Sequence, residues 1–280
     1  MTATLVRSGQ ARVRRAGPRR AGRLTVARKA AIVVALILLW ELYTRVFDVN
    51  PRLVPKASEV AVAFGRHLAN GQLFSYAWGT LQVLLLAQVI AVLLAATLSG
   101  IAVTVRVGRD LLEVLSAMLN PLPAIALLPL AIIWFGLSTR SLLFVVTNAA
   151  LWPMSVAFLM GLTTTPRTIL MVGRNLGLSK LRLVVDILLP SGLPHFITGM
   201  KVGWAFGWRT VVAAELVFGT TGGGGGLGWW INQSRFELAT ASVMSALVAI
   251  IIIGLVTDAL FRVLERRTIA RWGMVEAGQE

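Results

Sequence analysis

The chain has 280 residues, of which 56% are hydrophobic and only 14% charged, with a formal net charge of +15. Soluble domains carry about a quarter charged residues, so this balance and a mean hydropathy of +0.77 exclude an ordinary soluble globule. The absence of cysteine excludes disulfides and thiolate metal sites. The basic surplus does not mark a nucleic-acid binder, because nine of the 27 basic residues sit in the first 29 and most others flank apolar runs. Clusters placed there contact anionic lipid and set orientation.

In chain order, residues 1–28 hold no acidic residue and are expected to be a disordered basic tail beside the membrane. The apolar stretch that follows, "AAIVVALILLW" from Ala30, lacks a small-residue cleavage site, so a removable leader is not expected. Residues 29–267 are read as one transmembrane domain and residues 268–280 as a short tail. Within the domain six runs are long enough to cross a bilayer: Ala30–Phe47, Tyr76–Val105, Leu111–Phe135, Ser141–Thr163, Ser191–Phe218 and Leu238–Phe261. Backbone polar groups in lipid must be satisfied within the segment, so the expected fold is an all-α integral membrane protein, a six-helix transmembrane bundle. Residues 51–75 are expected to form a short helix between the first two spans, closed by a turn at Asn70-Gly71.

Orientation follows from Lys and Arg. The segments 1–29, 106–110, 164–190 and 262–280 hold 19 basic residues and the segments between the other span ends hold six. The excess places both termini in the cytoplasm, with membrane lipid as an obligatory partner. The segment at 164–190 is then cytoplasmic too. There, "GRNLGLSKLRLVVDILLPSG" (Gly173 to Gly192) has Gly177 placed as a left-handed helix C-cap and Ser179 placed to cap the helix after it. Leu181, Val184, Val185 and Leu188 recur at spacings of three and four and predict the apolar stripe of that second helix, with Lys180 and Arg182 off it. Pro190 is expected to open the next helix. Two readings fit this pattern: a helix lying on the bilayer surface, and a rigid docking element for a cytoplasmic partner.

The segment resembles the signature cytoplasmic loop of permease subunits of ABC importers, a Glu-Ala-Ala, three residues, Gly, nine residues, Ile-x-Leu-Pro pattern. Gly177, Ile187, Leu189 and Pro190 match at that spacing, whereas Met171-Val172-Gly173 stands in place of Glu-Ala-Ala. "NPLPAIALLPLAIIWFGLSTRSLL" from Asn120, "WRTVVAAELVFGTTGGGGGLGWWI" from Trp208 and "DALFRVLERRTIARW" from Asp258 are similar to the nitrate, sulfonate and taurine branch of the same family. The resemblance implies a type I importer fold and a permease that carries a small organic or inorganic anion. It also implies two copies of a cytoplasmic ATP-binding subunit, an extracytoplasmic solute-binding protein and a second permease copy, giving a homodimer in the plasma (inner) membrane. The docking residues it implies are Arg174, Asn175, Leu176, Gly177, Leu178, Ser179, Ile187, Leu189 and Pro190.

No phosphate-binding G-x-x-x-x-G-K-[ST] loop occurs in the chain, so ATP and Mg²⁺ are expected in the partner ATPase, with no cofactor and no catalytic centre here. Gly223, Gly225 and Gly228 formally spell G-x-G-x-x-G, but they follow a membrane span rather than a strand, which predicts a flexible outer loop instead of a dinucleotide site. Gly199, Gly203 and Gly207 recur every four residues and predict close helix approach, within the chain or across a dimer. Arg209 and Glu215 lie deep in the fifth span, where charge is costly. Each is expected either to line a polar translocation path, an anion favouring Arg209, or to fix helix packing. Their separation of six positions puts them on different faces. His67 and His195 are expected at a surface and at the membrane edge, and the tryptophans, Trp78, Trp134, Trp152, Trp229 and Trp230 among them, at the interfaces. The alternative of an ATP-independent secondary transporter predicts internal repeats, which the sequence does not display.

Overall fold

The computed structural model describes residues 18–218 and 225–268. Every regular element among them is helical, as lipid demands of a backbone that has no water to bond. Two compact units are distinguished, residues 1–59 and residues 60–280.

In the first unit, α1 runs over Pro18–Val46. Every 18-residue stretch of it takes in at least three charged side chains, drawn from the arginines at its start, Arg28, Lys29, Glu41 and Arg45, and it is not among the helices that qualify as spans by length and composition. The expected first span is therefore weaker than its apolar centre implies. Near its end Glu41 accepts hydrogen bonds from Arg45 (2.7 Å), from the Ser58 backbone N–H (3.0 Å) and from Ser58 Oγ (2.9 Å).

The second unit holds most of α2 (Ala57–Ala69) and then α3 (Gln72–Thr104), with Gly71 at φ +76° forming the expected turn between them. Along α3 the buried positions are Ala77, Thr80, Leu84, Ala87, Ala91, Ala95, Ser99 and Ala102, a stripe of mostly small residues at helical spacing that lets a neighbouring backbone come close. The neighbour is α6 (Thr139–Thr163), and Ser99 Oγ donates across the contact to the Ser155 carbonyl (2.9 Å). In α6, 61% of the apolar window is buried against 17–22% in the other three qualifying helices, so it is the central helix of the unit.

The expected third span, Leu111–Phe135, is broken. α4 (Arg106–Leu119) ends at Asn120, Pro121 and Pro123 intervene, and a 3₁₀ turn (Ala124–Leu127) leads into α5 (Leu128–Phe135) at 94° to α4. Pro121 and Pro123 lack two N–H groups that a continuing helix would bond within three residues, and the helix ends there although Asn120 itself keeps helical angles. Among the described residues four helices qualify as spans, or five if the broken pair is counted as one. The helices at the expected second, fourth and fifth spans lie within four residues of expectation, whereas the last runs Thr240–Thr268, seven residues past the expected Phe261.

After α6 come α7 (Arg167–Asn175), the short α8 (Lys180–Arg182) and a π-helical turn, Leu183–Leu188, which runs without a break into α9 (Leu189–Phe218). The expected fresh start at Pro190 is absent. The ring of Pro190 would press on the carbonyl one turn earlier in a regular helix, and the widened turn relieves this: the Leu189 N–H bonds Val184 O. α10 (Leu227–Phe236) and α11 (Thr240–Thr268) complete the chain. Trp152, Trp208 and Trp230 are buried in the core, so only part of the tryptophan set lies where interfacial anchors would. His67, expected at a surface, bonds Gln72 Oε1 (2.9 Å) and Ser242 Oγ (3.1 Å) and thereby ties α2 to α11.

Candidate functional site

The α7–α8 element is a local construction with three parts. α7 closes on Gly177, which sits at φ +76°, with the Leu178 N–H bonded to Gly173 O (3.1 Å) and the Gly177 N–H to Arg174 O (3.0 Å). These are the two bonds of a Schellman cap, and Leu178 supplies its accompanying apolar contact against Gly173. The Arg182 N–H then reaches Ser179 Oγ at 3.4 Å, the cap foreseen for the next helix. Finally, α7 seats on the π turn through Gly173: a Cβ there would lie 2.6 Å from Ile187 Cδ1 and 2.7 Å from Leu183 Cδ2.

This seating decides which side of the second helix faces the chain. Leu183 is buried and Ile187 half-buried; of the stripe read from the sequence, Leu188 is half-buried and Leu181, Val184 and Val185 are exposed. The docking residues divide accordingly. Leu178 and Ile187 face the Gly173 contact, and Pro190 is half-buried. Arg174, Asn175, Leu176, Ser179 and Leu189 are exposed, with Leu176 at 75% and Leu181 at 73% standing on either side of the Gly177 turn. The element is thus fixed from within and presents Leu176 and Leu181 among polar and basic side chains on the outside.

On α9 the glycine series packs inside the chain. A Cβ on Gly199 would lie 2.9 Å from Ala157 Cβ, one on Gly203 2.5 Å from Met154 Cε, and one on Gly207 2.9 Å from Leu84 Cδ1. The seam against α6 extends to Gly192, where a Cβ would be 2.8 Å from the Gly161 carbonyl oxygen. Gln88 Nε2 adds a bond from α3 to Met200 O (3.0 Å).

Glu215 is buried, and Thr80 Oγ1 (2.9 Å) and the Gly228 N–H (3.0 Å) both donate to its Oε2. Thr80 Oγ1 in turn accepts the Leu227 N–H (2.8 Å). The carboxylate therefore holds the first turn of α10, satisfying donors that a helix N-terminus leaves open. Gly226 and Gly228 permit the approach: a Cβ on Gly226 would fall 2.1 Å from Glu215 Oε1, and one on Gly228 2.3 Å from Val212 O. Gly222 to Gly224, central to the expected outer loop, lie outside the described residues.

Arg209 lies on the other side of α9, exposed, with no hydrogen-bond or ion-pair partner among the described residues. It borders a cavity of about 270 Å³ between the α4–α5 break, α6 and α9, whose wall includes Asn120, Pro121, Asn148, Trp152 and Thr210. It also borders a smaller cavity of about 190 Å³ toward α11. There Lys201 Nζ lies 3.2 Å from Glu265 Oε1 and 3.9 Å from Asp258 Oδ1, and Asp258 also pairs with Arg262. Arg209 and Glu215 do not meet.

A small-residue helical bundle with four or five apolar helices long enough to cross a bilayer defines an all-α membrane protein. The chain belongs to the binding-protein-dependent transport system inner membrane component family, which matches residues 89–270. It is 28% identical over 254 residues to the taurine transport system permease protein TauC of Escherichia coli, covering 87% of this chain and 89% of that one. It is 28% identical over 239 residues to the putative aliphatic sulfonates transport permease protein SsuC of Escherichia coli (85% and 89%). Over 176 residues it is 30% identical to the nitrate import permease protein NrtB of Synechocystis sp. (61% and 62%). This is a multi-pass permease subunit of an ABC importer, of the nitrate, sulfonate and taurine branch.

Proposed function

We propose that this permease imports a small anion of the sulfonate, taurine or nitrate kind as a homodimer in the plasma membrane. It receives the solute from an extracytoplasmic binding protein and is driven by two copies of a cytoplasmic ATPase that hold ATP and Mg²⁺. Both termini are cytoplasmic on this reading, as the asymmetry of Lys and Arg favours. The observation that carries the proposal is the α7–α8 element, whose Leu176 and Leu181 are exposed on either side of a turn locked by backbone bonds. Exposed large apolar groups on a rigid support are what a protein partner buries.

ATP-driven movement of the partner is then delivered to Gly173, Leu183 and Ile187 rather than lost in a loose loop. From there a continuous helical stretch, Leu183–Val217, reaches about 50 Å at 1.5 Å per residue. It carries the displacement past Arg209, the residue placed here on the solute path, to Glu215 and the start of α10. Co-expression with the ATPase of the same transporter tests this. Leu176→Asp should abolish co-purification of the ATPase while the permease stays folded. Undiminished taurine or sulfonate uptake in vesicles depleted of ATP would overturn the proposal.

A further inference from the structure

We infer that the cavity between the α4–α5 break, α6 and α9 is a binding station for one small oxyanion, held by the Arg209 guanidinium with amide donors from Asn120 and Asn148. This deepens the importer reading and rests on it for the choice of solute class. Three observations converge on the cavity.

The first is an unpaired charge. A guanidinium well inside an apolar helix is costly unless water or a counter-charge faces it, and Arg209 has no partner among the described residues. The one carboxylate lining the neighbouring cavity, Asp258, is already engaged with Lys201 and Arg262. The second is irregular backbone. Pro121 to Pro123 leave the helix at the wall of this cavity, and non-helical backbone in a membrane protein is tolerated where it is buried in protein or lines a water-filled cavity. The third is a surplus of donors. The wall carries the guanidinium, the two amides and the Thr210 hydroxyl, with no acidic side chain lining it. A wall with several donors and no negative charge selects a ligand made of acceptors, and a planar guanidinium matches two oxygens of a sulfonate or nitrate at once.

The test is isothermal titration of the purified permease–ATPase complex, without ATP, with methanesulfonate, nitrate and the uncharged analogue dimethyl sulfone. Saturable binding of the two anions and none of the sulfone is expected. Arg209→Gln should weaken methanesulfonate by about tenfold or more, as loss of a charge-assisted contact implies, and Arg209→Lys should restore most of that loss. Asn148→Ala, which keeps the charge, should weaken binding by a smaller factor, and it reads the same site if Arg209 variants fail to assemble. Equal binding of dimethyl sulfone, or unchanged methanesulfonate affinity in both Arg209→Gln and Asn148→Ala, overturns the site. ATP-dependent uptake by the native complex separates the two ideas. Uptake with no binding defect in the variants sinks the site alone, whereas anion binding without ATP-dependent uptake sinks the importer reading and leaves the site standing.

Discussion

Gly203 and Gly177 are both required glycines, for opposite reasons. At Gly203 the backbone is ordinary helix and the space is taken: a Cβ would lie 2.5 Å from Met154 Cε and 3.2 Å from Ala150 O. At Gly177 nothing lies within 4 Å, and the requirement is the φ of +76°. The first glycine belongs to a seam where α6 and α9 approach as closely as their backbones allow, the second to a turn that presents a surface. The difference teaches how one chain separates its tasks. The seam and the Glu215 node resist any added atom and keep the bundle rigid. The α7–α8 element is crowded only on its inner face, at Gly173, and at the Gly177 turn it accepts atoms but resists changes of backbone angle.

Substitutions that probe the crowded region should have the largest effect. Gly228→Ala places a Cβ 2.3 Å from Val212 O and 2.7 Å from Glu215 Cβ. The first of these is a backbone atom that cannot swing aside, so a loss of about 3 kcal/mol is expected, read as a lowered melting temperature in detergent. Gly203→Ala meets a flexible methionine end first and should cost less; a larger loss there than at Gly228 would break the distinction between yielding and unyielding neighbours. Glu215→Ala removes the acceptor for Thr80 Oγ1 and the Gly228 N–H in a buried site, at about 2 kcal/mol. Glu215→Gln keeps one acceptor oxygen and should recover much of this. Equal losses in the two variants would show that the charge, not the hydrogen bonds, holds α10.

The parts legible in the sequence are those whose causes are local. Hydropathy located α3, α6 and α9 within four residues and the start of α11 within two, and the Gly177 and Ser179 caps were readable because their partners lie within five positions. The broken third span had its signal in plain view, since Asn120-Pro121 and Pro123 forbid a continuous helix, but the apolar run outweighed it. The stripe at Leu181, Val184, Val185 and Leu188 does not indicate which face packs on α7, because that face is chosen by Gly173, whose missing side chain opens the place that Leu183 and Ile187 fill. Glu215 was found as a buried charge, yet its partner Thr80 lies 135 positions away and no spacing rule points to it. Arg209 was likewise singled out, while the cavity beside it depends on a break that hydropathy hides.

At the presenting element the expected effects shrink in stability and grow in coupling. Gly177→Ala adds an atom to open space and must hold φ +76°, a penalty of about 1 kcal/mol. Gly177→Asn should lose less, since asparagine tolerates that region better. Both should leave the seam intact, and melting curves matching a Gly203 variant would contradict this. Smallest of all is Leu181→Ser. At 73% exposure the leucine touches little of its own chain, so the melting temperature should move by no more than about 0.5 kcal/mol equivalent. Its proposed contact is with the ATPase, and removing a large apolar group from the centre of such an interface costs about 1 kcal/mol or more of binding. Folding and binding therefore part company at this position: an unmoved melting curve with weakened ATPase co-purification is expected. A destabilised permease that still retains its ATPase would mean that Leu181 packs inward and that the element is not the outward-facing handle described.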